Sequence, residues 1–163
     1  MMDATSFCQA AESSRLGTAI LRSSWLFPAL EAIHLVAMVV LVGSISAFDL
    51  RLLGLAFKGR PVSRVAERLL PLTWIAFTTM AITGGLLFTS HGTTYCSNSA
   101  FQFKLALIVL AGANMAVFQF TTYRSVNKWD LAAATPIWAK IAGSVSVLLW
   151  AGVVVGGRWI GFV

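Results

Sequence analysis

Three side chains in this sequence could hold or exchange something inside an otherwise apolar chain: Glu31, His34 and Lys104. Each lies in or at the edge of a long hydrophobic run, where an ionisable group is costly and is a functional candidate by default. Glu31 and His34 stand three residues apart, so on a helix they share a face that continues through Met38, Leu41 and Ile45. His34 follows Trp25 by nine residues, which places it about 13 Å below the start of its helix. Lys104 lies near the outer start of the third run, at a depth similar to that of Glu31, so the two could pair.

A histidine at that depth has three readings. The plainest is a neutral imidazole hydrogen-bonded to a neighbouring helix. A carboxylate-bridged metal pair needs Glu-x-x-His on two helices and further carboxylates; here that element occurs once, which argues against it. The third is axial ligation of a b-type haem, which needs one strong ligand, an apolar slot and cations near the propionates. His34 would bind the iron, with His91 or Met80 as the second axial ligand. His91 reads otherwise as a loop residue about 10 Å above His34, whereas Met80 is closer in depth. Thr83, Gly84 and Gly85 lie level with His34, and glycine lets a flat ring approach the backbone. Met80, Gly84, Leu87 and His91 follow one face of their helix, and Lys104, Leu107, Ala111, Asn114 and Phe118 follow one face of the next. Lys104 and Arg158 are the cations within reach of propionates, and Glu31 and Asn114 complete a polar network. Small-residue faces also serve ordinary helix packing, and Gly152, Gly156 and Gly157 offer such a face to a partner.

These residues require membrane helices to position them. The chain is 58% hydrophobic and 11% charged, with a mean hydropathy of +0.80, against about 25% charged residues in soluble domains. Four runs, at about 25–47, 69–90, 101–123 and 139–162, are each long enough for a bilayer. With no water in the hydrocarbon core, each is predicted to be a helix. The expected fold is therefore all-α: an integral membrane four-helix bundle over residues 25–163, preceded by a polar periplasmic or interfacial segment, 1–24. That segment lacks the basic start and immediate apolar stretch of a cleavable signal peptide. Residues 15–22 carry Arg15 and Arg22 beside Leu16, Ile20 and Leu21, the pattern of a short interfacial helix.

The net charge of +6 comes from interhelical loops rather than from a basic soluble face, which excludes nucleic-acid binding. The first loop holds Arg51, Lys58, Arg60, Arg64 and Arg68, and the third holds Arg124 and Lys128; the second, 91–100, holds no lysine or arginine. By the positive-inside bias the first and third loops are cytoplasmic and both termini lie outside, an N-out/C-out topology. Val62, Val65, Leu69 and Leu70 alternate helically with Arg64, Glu67 and Arg68, so the second helix is expected to begin within the cytoplasmic loop. Cys8 and Cys96 then share the oxidising side, where a bridge or two free thiols are both open readings.

The stretch SSWLFPALEAIHLVAMVVLVGSISAFDLRLLG resembles an uncharacterised family of small bacterial integral membrane proteins that share W-x-F-P-x-x-E-x-x-H and D-L-R-L-L-G. FQFKLALIVLAGANMAVF is similar to that family's third helix. More distantly, the chain resembles CopD-type copper-resistance proteins and HemJ-type protoporphyrinogen oxidases, which pair a first-helix histidine with a lysine opening a later helix. That likeness implies a haem-linked role for His34 and a supporting one for Lys104. The chain departs from both: a further polar set of the HemJ type is not found, and Met38, Met80 and Met115 are scattered rather than clustered for copper. Haem b therefore ranks above copper. The function expected is electron transfer in the bacterial inner membrane, as a non-catalytic subunit of a larger redox complex or with a quinone. A non-redox accessory subunit and a small-solute or metal transporter are the alternatives.

Overall fold

A computed structural model describes residues 4–131 and 135–162. It is helical, with no strand among the described residues. Two short helices, α1 (Ala4–Glu12) and α2 (Arg15–Arg22), precede four long ones: α3 (Leu26–Leu52), α4 (Val62–Ser90), α6 (Ser99–Phe120) and α7 (Ile137–Trp159). A one-turn-plus helix, α5 (Gly92–Ser97), joins α4 to α6, and 3-10 turns follow α6 and α7. All four long helices are long and apolar enough to cross a membrane, so the chain is a multi-pass membrane protein. The third connection includes residues 132–134, which lie outside those described.

Two helices run well past the apolar stretches. α3, whose apolar run was expected to end near residue 47, continues to Leu52, and α4 starts at Val62, inside the basic loop as expected and ahead of its apolar run. The reason is that the polar residues in these extensions find partners inside the bundle. Arg51 is buried, donating from Nε to the Arg60 carbonyl at 2.9 Å and from Nη2 to the Asp130 carbonyl at 3.4 Å. Asp130 in turn accepts the Ser63 amide at 2.8 Å and the Ser63 hydroxyl at 2.6 Å, which caps the start of α4. Between the helices Gly54 takes φ +73°, a conformation that glycine adopts without a Cβ penalty.

The bundle order is α4, α3, α7, α6: α3 packs on α4 and α7, and α6 on α7, whereas α4 and α6 have at most sparse backbone contact. Mid-bundle, Ala37, Leu41, Ala76, Met80, Ala111, Trp150 and Val153 form the core. A second core of Leu52, Val62, Phe118, Val126, Trp129 and Ala139 closes the basic end. Close approach of α3 and α7 depends on Gly143, where a Cβ would stand 3.3 Å from the Asp49 carbonyl.

At the other end α1, α2 and α5 form a lid. The predicted short helix over 15–22 is present, N-capped by Ser14, whose Oγ accepts from the Gly17 amide at 3.1 Å. A Cβ at Gly17 would collide with the Thr89 carbonyl, so the lid lies directly on α4. Cys8 and Cys96 are joined in a disulfide, which settles the open alternative in favour of the bridge. Beside it, Glu12 Oε2 accepts the Thr93 amide at 2.9 Å and the Thr93 hydroxyl at 2.5 Å.

Candidate functional site

His34 projects from α3 onto α4. Its Nδ1 lies 3.0 Å from Thr83 Oγ1, and Thr83 Oγ1 lies 2.8 Å from the Thr79 carbonyl four residues back. A hydroxyl has one proton, and a carbonyl can only accept. The shorter contact assigns the Thr83 proton to Thr79, so that Thr83 accepts from His34 and the imidazole takes the Nδ1–H tautomer. A Cβ at Gly84 would stand 3.1 Å from His34 Cε1, so the glycine makes room for the imidazole itself. That differs from the expectation that Gly84 would seat a cofactor ring.

Lys104, on the first turns of α6, lies along the glycine face of α7. Its Cβ is 3.6 Å from the Cβ position of Gly156, and its Nζ 3.5 Å from that of Gly157. Leu107 fills the same role against Gly152. These glycines, expected to face a partner, are instead used within the chain: they let α6 lay a long cationic side chain against α7. The Glu31–Lys104 pair is not formed, and no carboxylate is within ion-pair distance of Lys104 among the described residues. Glu31 is exposed on α3 and acts on α5 instead: burial first, then the Glu31 charge, pushes the Tyr95 hydroxyl above its ordinary range.

A model described as a family of unknown function (DUF6644) matches residues 7–163. The chain belongs to the DUF6644 family. No curated protein and no solved structure matches it. The reading of an uncharacterised membrane family thus holds over nearly the whole chain, while the comparisons return nothing for the CopD-type and HemJ-type likeness.

Of the remaining candidates of the DUF6644 chain, Met80 meets His34 through its backbone, whereas the others lie apart from it. Met80 is 5% exposed and belongs to the mid-bundle core beside Ala37 and Leu41. His91 ends α4 eight residues beyond Thr83, about 12 Å along the axis. Its Nδ1 is 3.1 Å from Ser90 Oγ, and its ring meets Phe27 at 5.2 Å and Tyr95 at 6.2 Å. Asn114 donates to the Ala142 carbonyl at 3.0 Å, holding α6 to α7 rather than joining a network with Glu31. Arg158 is exposed at the lid end, its guanidinium 5.2 Å from the Phe162 ring centroid. Among the described residues no group of three or more His, Cys, Asp or Glu is arranged to hold a bare metal ion.

Haem can be tested against this geometry. His34 offers one nitrogen lone pair, with its tautomer fixed from the far side by a hydroxyl, as metal-binding histidines commonly are. Lys104 supplies a cation without a protein counter-charge on the helix across the sparse α4–α6 side. Of what haem requires, these residues offer one ligand nitrogen and one cation. They do not fit bis-histidine ligation, because His34 and His91 are packed separately a helix turn or more apart.

Sequence reasoning missed two groups. Thr83 was noted only for its depth, and the sole signal for its role was a hydroxyl level with a histidine. Asp49, inside D-L-R-L-L-G, was not singled out, yet it is 4% exposed and its Oδ2 has no hydrogen-bond partner.

Proposed function

We propose that this DUF6644 chain is a haem b-binding electron-transfer protein of the bacterial inner membrane, with His34 Nε2 as the axial ligand to the iron. It works as a non-catalytic subunit of a larger redox complex or exchanges electrons with a quinone, and both termini lie in the periplasm. The observation that carries this reading is the His34–Thr83–Thr79 hydrogen-bond chain, which engages Nδ1 and leaves Nε2 as the nitrogen to meet a metal. Lys104 and, nearer the surface, Arg158 are the cations available to carboxylates of a bound group. When bound, haem supplies one-electron exchange at its iron. The chain's own part is to orient one imidazole, keep it neutral and exclude water with the α3–α4 interface.

The orientation rests on two independent features that agree. The basic loops lie at one end of the bundle, the end expected in the cytoplasm. The Cys8–Cys96 bridge lies at the opposite end, and disulfides persist on the oxidising side.

Purified protein is expected to be red, with a Soret band and a pyridine haemochrome spectrum of b type that His34→Ala abolishes. His91→Ala is expected to leave the band in place. Colourless protein that is folded and membrane-inserted would overturn the haem reading and leave a structural polar network, the accessory-subunit alternative.

A further inference from the structure

At the basic end of the bundle the turn between α3 and α4 borders a half-open cavity of about 360 Å³. Arg60, Arg64 and Arg68 line it together with Phe57, Val65 and Leu69, and the lining contains no acidic residue. Arg64 and Arg68, one turn apart on α4, share a face, and Arg60 joins them from the turn before the helix. The cavity is built rather than incidental. Phe57 adopts φ 55°, a left-handed conformation that is costly for a bulky side chain. The Arg60 amide closes the turn onto the Phe57 carbonyl at 3.0 Å, and its guanidinium sits 5.8 Å from the Phe57 ring centroid. Arg51, buried, holds the Arg60 carbonyl from below.

The same face of α4 continues away from this cavity. Leu72, Ile75, Ala76 and Thr79 line a second hollow of about 460 Å³, whose other wall is α3 from Ala32 to Val40. Residues 65, 69, 72, 76 and 79 follow one stripe, so the arginine cavity and the apolar hollow succeed each other along the same face of α4. From Leu69 to Thr79 the groove runs about 15 Å, the depth of one leaflet of the hydrocarbon core. A trident of guanidinium groups at the membrane edge followed by a leaflet-deep apolar trough matches one molecule: a phosphate head group with an acyl chain.

We propose that the α3–α4 face is a binding site for an anionic phospholipid, its phosphate held by Arg60, Arg64 and Arg68 and one acyl chain lying between α3 and α4. Guanidinium forks suit phosphate oxygens, and basic pockets between membrane helices are where anionic head groups are retained. The site is separate from His34 and does not depend on the haem reading.

The test is native mass spectrometry of the full chain released from nanodiscs of mixed phosphatidylcholine and phosphatidylglycerol. Wild type is expected to retain one phosphatidylglycerol in preference to phosphatidylcholine. R64Q/R68Q is expected to lose about tenfold or more of that retention. R124Q/K128Q, exposed basic residues of the other loop at the same end, is expected to behave as wild type. Equal loss in both double variants would show a general charge effect and overturn the site. Inorganic phosphate in excess is expected not to displace the lipid. Displacement by phosphate alone would show that the cavity reads the anion without the chain, which also overturns the proposal. The substituted arginines are exposed, and an unchanged unfolding temperature in the variants separates a lost site from a lost fold.

Discussion

A single proton decides what His34 can do. Because Thr83 spends its hydrogen on the Thr79 carbonyl, it can only accept from Nδ1. Thr83→Val keeps the shape but leaves the Nδ1–H facing a methyl group. The expected result is a stability loss of about 1–3 kcal/mol for the unsatisfied donor, and haem affinity lowered by roughly 10–100-fold. A Soret titration compared with the thermal unfolding of apoprotein separates the two effects. Gly84→Ala probes the same contact from the other side. Its methyl would stand 3.1 Å from His34 Cε1, so the imidazole must shift by a few tenths of an ångström. A changed Soret position with the band retained is the expected outcome; an unaltered spectrum would show that Gly84 does not set the ring's place. At this scale the sequence was partly legible. His34 and Lys104 stood out because charge in hydrocarbon is rare. Thr83 did not, because a mid-helix threonine normally bonds back to its own helix, and its second partner depends on the register of α3 against α4.

The elements outside the membrane depend on pH and redox state in ways the spanning helices do not. The lid is fixed to α5 by the Cys8–Cys96 bridge and by Glu12 on Thr93. The bridge closes a loop of 88 residues, for which chain-entropy arguments give at most about 4–5 kcal/mol. Reduction, or Cys8→Ser with Cys96→Ser, is expected to lower the unfolding temperature and to raise amide exchange first in α1 and α2; loosening that began in α6 or α7 would contradict a lid role. Thr93, through its hydroxyl and then its amide, holds the Glu12 carboxyl below its ordinary value of 4.5. A carboxyl lowered in the folded state stabilises above its unfolded value, and the contribution disappears as pH falls through the folded value. The gap in unfolding temperature between wild type and Glu12→Gln is therefore expected at neutral pH and should close under acid well below 4.5. A gap that persists there would assign the effect to shape rather than charge. The four spanning helices were readable from length and hydropathy, as was the short helix over 15–22, whereas α1 and α5 were not. Element ends were read only in part: the start of α4 inside the basic loop was expected, whereas the reach of α3 to Leu52 was not, because Arg51 finds its partners across the chain.

For the whole molecule the four helices could be inferred from composition, whereas their lateral order could not, because apolar faces toward lipid and toward neighbours look alike in sequence. What distinguishes them is where small residues sit: Gly143 under Asp49, Gly152 under Leu107, Gly156 and Gly157 under Lys104. Those contacts bind α7 to α3 and α6 and leave α4 and α6 apart. The molecule consequently has two unlike ends, one basic and one closed by a disulfide, and a membrane has two unlike sides. If the basic end faces the cytoplasm, a cysteine placed at Lys58 should be shielded in intact cells from a membrane-impermeant maleimide and labelled after permeabilisation. A cysteine at Gly161, where a Cβ meets nothing within 4 Å, should label in intact cells. Any reactivity of the native pair is controlled with the unsubstituted chain. The reverse pattern would place Cys8 and Cys96 in the reducing compartment and would remove the oxidising environment their bond requires, so the orientation and the persistence of the bridge stand or fall together.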